Sequence, residues 1–179
     1  MKIAGKLNAK ERILKTAREL FYSRGINNTG IDLIIAQSGV AKASMYNNFR
    51  SKEELVAEYL GSLRAEFDTA LAAMSEERGS SVEIPFALLK VTLENGQFFG
   101  CPFANAMVEL PDSALVKEQV MGYRQAVHSY FMAVTNNDEN KSSKLMLVYD
   151  GSFMSCKLNP DEKTVSGAIQ LARSISTSK

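Results

Sequence analysis

Apolar residues Ile13, Ala17, Leu20 and Phe21 recur at i, i+4, i+7 and i+8, the stripe of a helix expected from about Asn8 to Arg24. Gly25 ends it, because glycine enters the left-handed turn after a helix at the lowest cost. Thr29 is then placed to cap a second helix, with Asp32 at its third position, Ile31, Ile34 and Ile35 facing inward, and Ser38–Gly39 as its end. A third helix is expected over Lys42–Phe49. Ser51 followed by Glu54 has the S-x-x-E spacing of a capping box, and opens a long helix through Leu55, Tyr59, Leu63 and Phe67 to about residue 76.

The period stays helical after the polar break at residues 75–81. Phe86, Leu89 and Leu93 mark one helix, ended by Asn95–Gly96; Pro102 starts a short one that Pro111 closes. Asp112 is suited to cap a long helix running to Val134. Asn136 to Asn140 form a turn cluster, and two last helices are expected over Ser142–Lys157 and Asp161–Ser176. No stretch alternates with the period of two that a half-buried strand needs. The expected fold is all-α, with about nine helices.

With 45% apolar and 23% charged residues in 179, the chain reads as an ordinary globular protein rather than a fibrous or disordered one. At this length either one domain or two small ones can bury a core. The longest apolar runs, such as Leu145–Tyr149, are far short of a membrane span, and the basic N-terminus lacks the apolar stretch of a secretory signal. The two cysteines, Cys101 and Cys156, have no metal-ligand spacing, so neither a metal nor a disulfide framework is expected and a reducing cytoplasm is the default location.

Charge changes the picture once the chain is divided. Residues 1–52 carry ten of the 21 Lys/Arg but three of the 20 Asp/Glu, a net +7, which leaves −6 on residues 53–179. A basic first third on an acidic remainder fits a protein that meets a polyanion with one part only. Two short helices joined at Ser38–Gly39–Val40 have the layout of a helix-turn-helix, whose second helix enters the major groove by its N-terminal end. Lys42, Ala43, Ser44, Asn47 and Asn48 would be exposed on that helix, with Met45 and Phe49 inward. A plain helical hairpin in a bundle fits the same local pattern.

The run from Gly25 through Thr29, Ile31 and Ile34 to Gly39-Val40-Ala41-Lys42-Ala43-Ser44-Met45-Tyr46-Asn47-Asn48-Phe49, then Ser51-Lys52-Glu53 and Leu55, resembles the DNA-binding domain of TetR-family transcriptional regulators. The resemblance covers about 50 residues. It implies a helix-turn-helix domain over residues 1–52, with helix 4 continuing to about 76 as a connector, and a helical effector-binding and dimerisation domain over 53–179. By position it assigns Thr29 to cap helix 2 and meet a phosphate, and Lys42, Ala43 and Ser44 to the start of the recognition helix. Tyr46 and Asn47 go to the DNA backbone and Lys52 to a phosphate. Ala41 stands where the family usually has serine, Ala43 replaces a frequent glycine, and Ile35 a frequent alanine.

In the remainder, Leu145 to Phe153 resembles the family's penultimate helix. The resemblance implies a homodimer bundle using Leu145, Tyr149, Phe153, Val165, Ile169 and Ala172. An apolar effector pocket is expected around Phe98, Phe99, Cys101, Phe103, Met121, Tyr123, Arg124, His128 and Met132. Gly100-Cys101-Pro102 with Asn105 and Glu109 resembles a helix found in a subset of these regulators.

The leading function is a repressor that a small-molecule effector releases from a palindromic double-stranded DNA operator. Redox or electrophile sensing through Cys101 is the alternative. With one histidine, no nucleophile elbow and no phosphate-cradling glycine loop, no catalytic constellation, cofactor or membrane partner is expected.

Overall fold

A computed structural model describes residues 7–96 and 98–178. Among them are nine helices and no strand: α1 Ala9–Arg24, α2 Ile31–Ser38, α3 Lys42–Asn48, α4 Lys52–Arg78, α5 Ile84–Glu94, α6 Pro102–Glu109, α7 Ala114–Val134, α8 Glu139–Leu158 and α9 Glu162–Thr177. The chain forms two compact units. One holds α1 to α3, α4 as far as Leu63, and Pro102–Val120; the other holds Arg64–Cys101 and the chain from Met121 onward.

In the first unit α1 packs on α2 and α3. Asn8 caps α1 in a full capping box: its side chain accepts the Glu11 amide, and Glu11 accepts the Asn8 amide at 2.8 Å. Gly25 closes the helix at φ +88, which favours glycine. Ile13, Ala17, Leu20, Phe21, Ile34, Met45, Phe49, Leu55 and Val56 are buried, and Phe21 meets Tyr59 at 5.7 Å between ring centroids. Of the three isoleucines expected inward on α2, only Ile34 is fully buried. Ile31 and Ile35 are half-buried, since eight residues packed against one helix cover a single stripe.

The box expected at Ser51 is half formed. Ser51 accepts the Glu54 amide at 3.0 Å, but the Glu54 carboxylate takes the Arg50 amide at 2.7 Å, one residue early. Ser113 rather than Asp112 begins α7, its hydroxyl accepting from the Val116 amide at 3.5 Å and donating to Glu53 at 2.6 Å.

In the second unit α5 packs on α8 and α9, which pack on each other. Tyr149 lies at its centre, with Phe86, Phe131 and Phe153 at 5.5, 6.2 and 5.1 Å between centroids. These edge-on contacts bring aromatic attraction beyond the area buried. Arg173 pins α9 to the start of α5 through two 2.7 Å bonds to Glu83, which hold that carboxyl below its ordinary value. The turn before α8 is shorter than the polar cluster suggested. Asn136 and Asn137 take positive φ, and Asp138 caps the helix through the Lys141 amide, so α8 starts at Glu139 rather than Ser142.

Candidate nucleic-acid interface

Helices α2 and α3 are separated by Gly39, Val40 and Ala41. Gly39 adopts φ +64, ψ +29, and its amide closes α2 on the Ile35 carbonyl at 3.1 Å. From α1, Arg12 Nη1 donates to the Ser38 and Gly39 carbonyls at 3.4 and 3.3 Å, so this cation braces the turn from within the unit. The sequence reading missed that role by counting Arg12 with the polyanion-facing charges. Val40, Met45 and Phe49 anchor α3 below, each at most 7% exposed. Its opposite face presents Lys42, Ala43, Tyr46 and Asn47 to solvent, with Tyr46 half exposed. Ser44 is half-buried, and its carbonyl accepts from the Asn48 amide group at 2.7 Å. Lys42 lies 3.5 Å from Asp32, and both side chains remain mostly solvated, so the pair leaves Lys42 available to an anion.

Thr29 departs from expectation. Gly30, not Thr29, is the N-cap of α2, and no side chain caps that helix. Thr29 is fully buried and its hydroxyl donates to the Gly25 carbonyl at 2.8 Å, so it ties the α1–α2 turn and does not face a phosphate. Thr29→Val is therefore expected to cost about 1–3 kcal/mol by stranding buried polar groups. Thermal melts should show this loss, with the duplex affinity of the folded protein unchanged; weaker binding at unaltered stability would return Thr29 to the interface.

Lys52, at the first position of α4, is half-buried. Burial pulls its ammonium below the ordinary value, and the Glu109 carboxylate pulls the other way.

The residues expected in an effector pocket are divided between the two units. Phe103 is buried in the first unit. In the second, Phe98 and Phe99 line a cleft of about 540 Å³ together with Leu93, Glu94, Gly96, Pro160, Asp161 and Glu162. Met121, Arg124, His128 and Met132 do not line it: Met121 is 55% exposed, Arg124 is paired twice with Asp150 at 3.0 and 2.9 Å, and His128 Nε2 faces Glu139 at 3.3 Å. These α7 positions recur at i, i+3, i+7 and i+11 and so share one stripe of that helix, and the cleft is lined without it.

Cys101 is half-buried beside a buried pair of phenols, Tyr123 and Tyr149, whose oxygens lie 3.0 Å apart. Burial raises both phenols above their ordinary value, and Cys101 adds to the rise. Cys156 is buried, and burial raises its thiol too. Among the described residues no group of His, Cys, Asp or Glu has a metal-holding arrangement, and no helix is long and apolar enough to cross a membrane.

The residues expected at a dimer contact differ in how far the chain's own fold covers them. Leu145, Tyr149, Val165 and Ala172 are at most 3% exposed within the chain's own fold, and Phe153 and Ile169 are half-buried. The first four are occupied by intramolecular packing, whereas Phe153 and Ile169 keep part of their surface outside. The apolar side chains left outside are Leu147, Met154 and Leu158 on α8 and Leu171 on α9, exposed by 73, 59, 80 and 51%. Around Gly151 and Gly167, on the same two helices, a Cβ would meet nothing within 4 Å.

A glycine-closed turn, a half-buried arginine brace and an exposed polar face on a seven-residue helix define a helix-turn-helix DNA-binding domain. Residues 13–59 match the family model described as bacterial regulatory proteins of the tetR family. The helix-turn-helix segment is thus similar to the DNA-binding domain of TetR-family transcriptional regulators. It is 26% identical over 147 residues to the transcriptional repressor DhaR of Mycobacterium sp. strain GP1, a match covering 79% of this chain and 73% of that one. It is 39% identical over 54 residues to the transcriptional regulator QacR of Staphylococcus aureus, where the match spans 30% of this chain and 29% of the relative.

The fold recurs in a TetR-family regulator from Streptomyces coelicolor, with TM-score 0.83, 24% identity and 94% of each chain covered. It recurs also in E. coli NemR in its reduced form, with TM-score 0.78, 19% identity and 94% and 97% covered. Family and fold are those of regulators, not enzymes.

Proposed function

We propose that this protein is a cytoplasmic, homodimeric repressor that binds a near-palindromic operator and is released from it by a small-molecule effector. The observation that carries the DNA part is the exposed face of α3, where Lys42, Ala43, Tyr46 and Asn47 stand opposite the buried Met45 and Phe49. Lys42 and Ser44 reach base edges or phosphates, Tyr46 and Asn47 grip the sugar-phosphate backbone, and Lys52 takes a phosphate at the start of α4. No arginine lies on α3, so few direct base contacts are available and duplex shape supplies part of the selectivity.

A second copy docks on the exposed apolar stripe of α8 and α9, which supports a twofold arrangement of recognition helices roughly 34–36 Å apart. The effector site is proposed at the aromatic-lined cleft of Phe98 and Phe99. Selection of bound sequences from a pool of random duplexes tests the reading. Two half-sites one helical turn apart are expected; recovery of no common sequence, or of an unrepeated one, would refute a palindromic operator.

A further inference from the structure

Glu109, the last residue of α6, reaches two places in the first unit at once. Its Oε2 accepts the Asn27 amide at 2.7 Å, and its own carbonyl accepts from the Asn27 side-chain amide at 3.0 Å, so the α1–α2 turn is held at two points. The carboxylate can come this close because residue 25 is glycine: a Cβ there would lie 3.1 and 3.3 Å from the two carboxylate oxygens. The same carboxylate is the nearby charge that acts on Lys52. Four residues on, the Ser113 hydroxyl donates to Glu53, the neighbour of Lys52, at 2.6 Å. The segment from Glu109 to Ser113 thus grips both the turn before α2 and the first turn of α4.

We propose that Glu109 is a positioning residue for duplex binding: it fixes the α1–α2 turn through Asn27, and from there its charge, near Lys52 without pairing to it, competes with a DNA phosphate for that lysine. The proposal rests on the reading of Lys52 as a phosphate contact. A phosphate approaching Lys52 must replace the attraction of a fixed anion, so the protein's own carboxylate sets how much affinity that lysine contributes. Loss of the charge releases Lys52 to the duplex, whereas loss of the whole side chain also loosens the turn.

The test uses the full chain and a short duplex of arbitrary sequence, titrated over a range of salt concentrations. Glu109→Gln keeps an oxygen able to accept the Asn27 amide and removes the charge. It is expected to tighten binding about two- to fivefold, the range an exposed ion pair commands. The gain should vanish in a Lys52→Gln background. Asp112→Asn, the same charge change on the adjoining turn, should give a smaller gain that Lys52→Gln leaves intact. Glu109→Ala should speed hydrogen exchange at the Asn27 amide by about tenfold or more, the loss of a charge-assisted bond.

A Glu109→Gln gain that persists without Lys52, or no gain, would overturn the competition; unaltered Asn27 exchange in Glu109→Ala would overturn the anchoring. Lys52→Gln alone is expected to lower the salt slope by about one. An unchanged slope would refute the phosphate reading of Lys52, while the Asn27 exchange result reports on Glu109 independently of it.

Discussion

Replacing Phe49 with alanine is expected to cost about 3–5 kcal/mol, the range for emptying an aromatic site in a packed core. Phe49 ends α3. Its backbone turns extended at φ −139, its amide closes the helix on the Met45 carbonyl at 2.9 Å, and its ring is 1% exposed. Lys10 Nζ lies 5.7 Å from the ring centroid, so the ring also seats a cation from α1. Alanine would leave a void under a helix of seven residues, too short to persist without tertiary support. A fall in melting temperature on the order of 10 °C follows from that cost at this chain length. Scanning calorimetry measures it; a shift within a degree or two would mean that the recognition helix does not depend on this wedge.

Leu147→Asp is expected to yield monomers and to weaken binding to a selected palindromic duplex by about 100-fold or more, because two linked half-site contacts become independent. Leu147 is 73% exposed, so the substitution spares the chain's own core and helical content should be retained. Its carboxylate would lie on the apolar stripe with Met154 and Leu158, where burial against a second copy would desolvate a charge. Sedimentation velocity reports the assembly state, and binding to a single half-site should be unaffected. A variant that stays dimeric would exclude this face as the contact.

Residue patterning made the helices legible and left their partners undetermined. Asn8 and Gly25 could be placed as the ends of α1 because caps are local chemistry. The sequence reading put the cap of α2 at Thr29, a good N-cap residue by type, although the adjacent Gly30 is acceptable there too. The fold chose glycine, because the threonine hydroxyl was needed by the Gly25 carbonyl. Helix α8 is apolar on more than one side, so period alone could not say whether the Leu145 or the Leu147 stripe packs inward; α5 and α9 decided that. The pocket residues were grouped by type along the chain, and tertiary packing then put Phe103 in one unit and the α7 residues in the other, away from the cleft of Phe98 and Phe99. Glu109 was visible as part of a motif, but its hold on Asn27, 82 residues away, is a tertiary fact.

The scaffold helices α1, α8 and α9 begin under an asparagine or aspartate whose side chain occupies a leading amide, whereas α2 and α3 begin at Gly30 and Ala41 with none. At those two starts no capping side chain takes the first peptide N–H groups, which can then donate to an incoming anion. Robustness and grip are thereby set against each other along the reading head. On the docking proposed above, any change that seals those starts to toughen the fold would take donors from the nucleic acid, so the modest intrinsic stability of these two short helices is a working condition of the molecule rather than a flaw in it.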